Sequence, residues 1–325
     1  MLTRRTLLAA GAASAIVPIE ATWHTAAATP KGIFVMAKQI DDIVSFDPAQ
    51  AYEFTNGEVD ANCYSRLVRP DSKDNSQVAP DLAASWDVSK DGKEITFKLK
   101  KTHKFATGRV VNAHDVAFSF QRAVKLNLTP GFIVTQFGFT KDNCEQLLTA
   151  VDDSTFKMTL PKVQATSFVL FCLSATIGSI VDRETVMKHD AGGDLGNKWL
   201  TSTTAGSGSY QLTKWAASDS VILDANPHAL KKPVNHRVVI RHTPEPSAQL
   251  LALEKGDADV VRDLTSELLT KAKANKAYHI SKSGQGSITY LGLNCSVPQF
   301  AKIEVREAFK WAIDYDGIVN NIVPN

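Results

Sequence analysis

The chain has 325 residues, is 44% hydrophobic and 22% charged, and carries 36 Lys and Arg against 34 Asp and Glu. That length fits about two domains, and the composition is that of an ordinary globular protein. The charges are interspersed with no basic stripe, which argues against nucleic acid as a partner.

Residues 1–28 read as an export leader. Arg4 and Arg5 in TRRTLL, the apolar run LLAAGAASAIVP and the small residues HTAAATP give the charged, apolar and cleavage regions in order, with the cut near Ala28. The apolar run is too short to span a bilayer. The pattern Thr-Arg-Arg-x-Leu-Leu favours the twin-arginine (Tat) route over general secretion. Nothing later in the sequence is long and apolar enough to cross a membrane.

In chain order, the apolar run from Ile33 to Ala37 predicts a buried strand, and Asp47-Pro48 a loop after it. In DVSKDGKEITFKLKK, Asp91-Gly92 is a turn signal and Ile95, Phe97 and Leu99 alternate with polar residues, which predicts a hairpin. Asn112 is a good helix N-cap and Asp115 suits the first turn. Val116, Ala117, Phe120, Ala123 and Val124 then share one helical face. Phe156, Met158 and Leu160 alternate in another strand. YQLTKW and SVILDA predict a strand pair. VNHRVVIRH predicts a strand leading to a helix at EPSAQLLALEKG, with Pro246 in its first turn and Gly256 at its end. DADVV returns to a sheet and SITYLGLN predicts a further strand. VREAFKWAID spaces Val305, Ala308, Phe309, Ala312 and Ile313 as a helical stripe. Strands and helices mix throughout, so the class is α/β or α+β with more than one sheet.

Candidate chemistry is sparse. AGSGSYQ offers Gly206 and Gly208 as G-x-G, but Gln211 stands in the place of a third glycine and the loop precedes a strand. No helix N-terminus is therefore aimed at a phosphate, and the serine-hydrolase elbow is absent too. The stretch reads as a tight turn where two backbones approach closely. The closest histidines, His236 and His242, are too far apart along a strand to share a metal. Asp41-Asp42 lacks the spacing of a calcium loop and reads as loop solvation. Cys63, Cys144, Cys172 and Cys295 form no C-x-x-C and read as half-buried thiols, with room for one bridge in an oxidising compartment. No nucleophile, base and oxyanion hole assemble, so the reading is not an enzyme, with no metal and no cofactor.

Several stretches in order carry a resemblance: SFDPAQAYE, YSRLV, VAPDLAASWDVSKDGKEITFKLKK, KFATG, NAHDVAFSFQRA, GGDLGNKWL, AGSGSYQLTKW, LEKGDADVV, YLGLN and VREAFKWAID. The series resembles the bacterial extracellular solute-binding protein family 5, the periplasmic peptide- and nickel-binding components of ABC importers. The resemblance implies a periplasmic-binding-protein-like α/β fold of two lobes with an extra small domain. Residues 29–65 and 195–285 would form the first lobe, 66–194 the extra α+β domain, and 286–325 the start of a second lobe that looks cut short. Asp47 and Pro48 would lie in a loop facing the ligand cleft, and Trp86 would pack within the extra domain. Gly206, Gly208 and Tyr210 match the family's Gly-Thr-Gly-Pro-Tyr turn, with Ser207 and Ser209 replacing Thr and Pro. Ser65 stands where the family often has an acid.

By motif position, Tyr52, Glu53 and Phe54 would line the cleft. The rings supply apolar contact and Glu53 could meet a ligand ammonium. The alternative is a solvated loop with Tyr52 packed beneath it. The implied function is capture of an oligopeptide, dipeptide-like, by a periplasmic monomer that delivers it to ABC permease subunits in the inner membrane. Nickel, an opine or a sugar is the alternative ligand on the same fold. A non-transporting sensor and an exported hydrolase are the alternative classes.

Overall fold

The computed structural model describes residues 29–74, 76–281 and 290–322. The leader and the first three residues of SITYLGLN lie outside the described residues. The chain begins with β1 (Ile33–Lys38) and α1 (Phe54–Cys63). It then leaves through β2 (Val68–Pro70), β3 (Val78–Pro80), β4 (Ala83–Val88) and β5 (Glu94–Leu99). Next come α2 (Ala113–Leu126), α3 (Phe132–Thr135), α4 (Cys144–Leu147), β6 (Leu148–Asp152) and β7 (Thr155–Thr159). Three helices follow, α5 (Thr166–Ser174), α6 (Arg183–Met187) and α7 (Asn197–Leu200). The chain returns with β8 (Tyr210–Ala216), β9 (Ser220–Ala225), β10 (Arg237–His242), α8 (Pro246–Lys255), β11 (Val260–Val261) and α9 (Ser266–Ala274). Last come α10 (Pro298–Ala301), α11 (Ile303–Ala312) and α12 (Tyr315–Gly317).

Two larger sheets carry the structure, beside a two-stranded antiparallel pair of β2 and β3. The five-stranded sheet runs β11-β1-β10-β9-β8. β1 is parallel to both β10 and β11, while β10, β9 and β8 are antiparallel. Parallel neighbours need a crossover. α8 supplies it, carrying the chain from β10 past β1 to β11. Pro246 opens α8, and Gly256, left-handed at φ 77°, closes it.

The four-stranded sheet runs β4-β5-β7-β6, all antiparallel. Alternation puts Ile95, Phe97 and Leu99 of β5 and Phe156 and Met158 of β7 on the inner face, where α2 covers them. Every residue of the expected α2 stripe is buried. Asn112 and Asp115 close a reciprocal capping box at the start of that helix. Phe156 stacks between Phe97, at 6.0 Å, and Phe120, at 5.7 Å. Trp86 is half-buried and packs on Phe97 from the edge strand.

Charged groups buried between the two sheets join them. Arg122, on α2, donates to both oxygens of Asp47 at 2.7 and 2.6 Å and to the Leu195 carbonyl at 2.7 Å. Asn197 adds a bond to Asp47 at 2.6 Å. Asp47 and Pro48 are themselves both buried within their loop. Asp47 is drawn inward because α2 sends a guanidinium into the junction, and a buried cation requires a carboxylate partner. Arg109 similarly bridges Asp115 and Asp182. Burial opposes the Asp182 charge, but hydrogen bonds from Arg109 and Thr107 outweigh it and hold the carboxyl below its usual range.

The inserted segment leaves and re-enters at one place. Gly208 N–H donates to Cys63 O at 2.9 Å, Asp182 N–H to Ala205 O at 2.8 Å and Ile180 N–H to Ser65 O at 3.0 Å. Gly206 and Gly208 lie against the last turn of α1, the close backbone approach expected of AGSGSYQ. A Cβ on Gly206 would sit 2.1 Å from Cys63 O and 2.6 Å from a Tyr64 ring carbon. Gly206→Ala should lower stability by about 1–3 kcal/mol through forced backbone movement, measured as a lower urea midpoint. An unchanged midpoint would show that this approach is loose. Tyr210 continues into β8 and donates its hydroxyl to Asn235 O at 2.9 Å.

Beyond α9 the packing is thin. Tyr290 to Asn294 is irregular where SITYLGLN predicts a strand. α11 forms over the expected stripe, but none of its residues is buried. Phe309 meets Phe300 edge-on at 5.7 Å.

Candidate functional site

A hollow of about 870 Å³ opens where β1 and β11 end and α1 begins. In open α/β sheets, ligands bind beyond the carboxyl ends of parallel strands. Lys38 is the last residue of β1, and Arg262 and Asp263 directly follow β11. The strand ends thus deliver charged side chains to one place, although sequence order separates them widely.

The floor is a charge network. Lys38 Nζ donates to Thr55 Oγ1 at 2.9 Å and pairs with Glu58 Oε2 at 3.1 Å. The other Glu58 oxygen pairs with Arg262. Burial first, and then the Arg262 charge, lower the Lys38 pKa from its ordinary value. Asp263 accepts from Gln39 N–H at 2.9 Å and from the Gln249 amide at 3.4 Å.

The wall is the start of α1. A helix N-terminus leaves backbone N–H groups without partners. Glu53 occupies the N-cap position but gives no side-chain cap. Asp42 does this instead, accepting from Thr55 N–H at 3.0 Å. Asp42 is therefore not merely loop solvation, because an orphan helix donor lies within its reach. Asp41 accepts from the Ser218 hydroxyl at 3.3 Å.

The three residues nominated from motif position meet at this wall. Tyr52, Glu53 and Phe54 all line the hollow. Tyr52 is 55% exposed and packs edge-on against Phe132 of α3 at 5.8 Å. Phe54 is 78% exposed. The half-buried Glu53 carboxylate accepts from the Tyr52 N–H at 3.2 Å. Lys38 and Arg262 both hold Glu58, while Asp42 and Asp263 hold backbone N–H groups. Glu53 thus accepts one bond, from the N–H of its own chain neighbour, and forms no ion pair with a described residue.

Lys38, Thr55, Glu58, Arg262 and Asp263 escaped the sequence reading. The available signal was a lysine ending an apolar run and an Arg-Asp pair ending DADVV. The glycine turn is not at the hollow; it packs at the opposite end of α1. Trp86 is remote from it. Among the described residues, no group of three or more His, Cys, Asp or Glu converges as metal ligands. The four cysteines are free thiols, with Cys63 and Cys144 buried.

Acidic groups outnumber cations around the hollow, and exposed rings flank them. Such a wall suits a ligand with an ammonium group and apolar parts. Known proteins share this architecture. The probable D,D-dipeptide-binding periplasmic protein DdpA of Escherichia coli strain K12 is 33% identical over 301 residues, covering 91% of this chain and 56% of that protein. NikZ from Campylobacter jejuni, solved in complex with Ni(L-His), gives a TM-score of 0.74 at 26% identity over 90% of this chain and 55% of its own. DppA from Helicobacter pylori, solved with the peptide STSA, shares the fold with a TM-score of 0.76 at 24% identity, over 89% of this chain and 58% of its own. The chain thus spans little more than half the length of these relatives. A sequence profile of the bacterial extracellular solute-binding proteins, family 5 Middle, matches residues 77–325. With sequence and two-sheet architecture agreeing over most of its length, the chain belongs to the bacterial extracellular solute-binding proteins of family 5.

Proposed function

We propose that the hollow is one wall of a peptide-binding cleft, and that the protein is the periplasmic solute-capturing component of an ABC importer. Glu53 is the observation that carries this reading: a carboxylate at the hollow without a cationic partner among the described residues, beside the exposed rings of Tyr52 and Phe54. It offers a charge-assisted bond to a peptide ammonium, and the rings offer apolar contact. The dipeptide named for the Escherichia coli relative and the peptide bound to the Helicobacter pylori protein support the same class of ligand. In this reading residues 29–65 and 195–285 form the first lobe and 66–194 the extra domain. Residues 286–325 begin the second lobe. The leader at 1–28 directs export, and a monomer hands its ligand to permease subunits in the inner membrane.

Calorimetry on the full-length protein tests this, using a dipeptide and tripeptide library and Ni(II). Glu53→Gln should weaken peptide binding by about 1.5–3 kcal/mol, the range for a hydrogen bond to a charged group. Unchanged affinity would remove Glu53 from the site. The nickel reading rests on the likeness to NikZ. Tight binding of Ni(II) with none of peptide would establish it in place of the peptide reading.

A further inference from the structure

α1 turns one side to the hollow and the other to the core. Phe54, Gly57, Glu58 and Ala61 line the hollow, while Asn56, Asp60 and Cys63 are buried. The inner side carries an unsolved polar problem. Asp60 is 0% exposed, and neither of its carboxyl oxygens receives a hydrogen bond. Asn56 lies one helical turn earlier, where side chains are neighbours. Its amide nitrogen donates to Ser45 O, but its Oδ1 is buried with no donor. An ionised carboxylate only accepts, and so does an amide oxygen. Neither can satisfy the other.

The charged neighbours do not resolve this. Arg66 spends Nε on the Ser179 hydroxyl at 3.3 Å and Nη1 on Ser174 O at 2.5 Å. Asp47, from the loop after β1, is itself a carboxylate held by Arg122. Cys63 and Tyr64, at the end of α1, both have their pKa values raised by burial and then by Asp60. A buried carboxylate without a bonded partner gives up its charge rather than bear the desolvation cost.

We infer that Asp60 is a buried proton-binding site: the folded chain holds it as a neutral carboxylic acid whose O–H donates to Asn56 Oδ1. One proton removes the unpaired charge and supplies the missing donor. The inner side of the ligand-lining helix is thereby closed by a titratable bond. Burial pushes the Asp60 carboxyl well above its usual range; Arg66 opposes this and Asp47 reinforces it.

The sign of the pH dependence follows. In the unfolded chain Asp60 ionises near its ordinary value of about 3.9. Between that value and its raised folded value, the folded state holds one proton more than the unfolded state. Asp60 therefore lowers the folding constant about tenfold for each pH unit of rise in that window. Asp60→Asn keeps the shape and a donor for Asn56 but has no proton to lose. Urea unfolding of the 325-residue chain should show the ratio of folding constants, variant over wild type, rising about tenfold per pH unit from pH 5 upward. Infrared difference spectra of the wild type should show a protonated-carboxyl band at neutral pH that the variant lacks. The wild-type spectrum stands even if the variant folds poorly. A ratio independent of pH, or no such band in the wild type, would mean that Asp60 is ionised and held by water or Arg66, and would overturn the inference.

Discussion

Replacing Arg122 by methionine should destabilise the protein by roughly 3–5 kcal/mol, the cost of leaving a buried charge without its partner. Arg122 is 2% exposed and Asp47 0%. Methionine fills much of the same volume, so the loss reports the charge more than a cavity. Asp47 would retain bonds from Asn197 and from Ala49 N–H, the latter at 2.9 Å. Neither cancels a full charge. The Leu195 carbonyl would also lose its donor. The double variant Asp47→Asn with Arg122→Met removes both charges and should recover a large part of the loss. Urea denaturation of the two single variants and the double variant measures the coupling. A loss below about 1 kcal/mol in Arg122→Met would place the pair in the range of solvated surface bridges and refute its role as the joint between the two sheets.

Phe156→Ala should cost about 3–5 kcal/mol through the cavity and lost transfer energy. Phe156 is fully buried and stands between two rings, so the paired-ring contribution disappears on both sides. The damage should also be local. Phe156 belongs to the core built on the four-stranded sheet, whereas the five-stranded sheet packs in separate clusters. Calorimetry should then show the inserted domain melting at a lower temperature, ahead of the rest. A single transition shifted by less than about 1 °C would contradict both the packing argument and the separateness of the cores.

The sequence made α2 and the β4–β5 and β8–β9 pairs legible for one reason. Each buries one side only, and one-sided burial writes a period into the residues. α1 carried no such signal. Its buried residues are Thr55, Asn56, Val59, Asp60 and Cys63, mostly polar, and Gly57 on the hollow side weakens the helical signal further. Its first-turn cap comes from Asp42, outside the local pattern. The inward turn of Asp47 was hidden likewise, since its partner Arg122 belongs to α2. Motif position was enough to gather Tyr52, Glu53 and Phe54. It was not enough for the floor, because Lys38, Glu58 and Arg262 come together only when β1, α1 and β11 are placed.

The shared exit and re-entry of the inserted segment bears on how the protein folds. β1 pairs residue by residue with β10, Ile33 opposite Arg237. A parallel pairing over such a span is among the slowest a chain can make, since loop closure precedes any reward from contacts. The insert shortens the search. Once its own core has formed, the bonds from Gly208 to Cys63 and from Ile180 to Ser65 hold its two ends side by side. The strands beyond it then meet β1 as near neighbours rather than across an open coil. Loop-closure entropy therefore favours an order in which the insert condenses first and the five-stranded sheet closes second. During synthesis from the N-terminus, β1 waits without its parallel partners until nearly everything between has emerged.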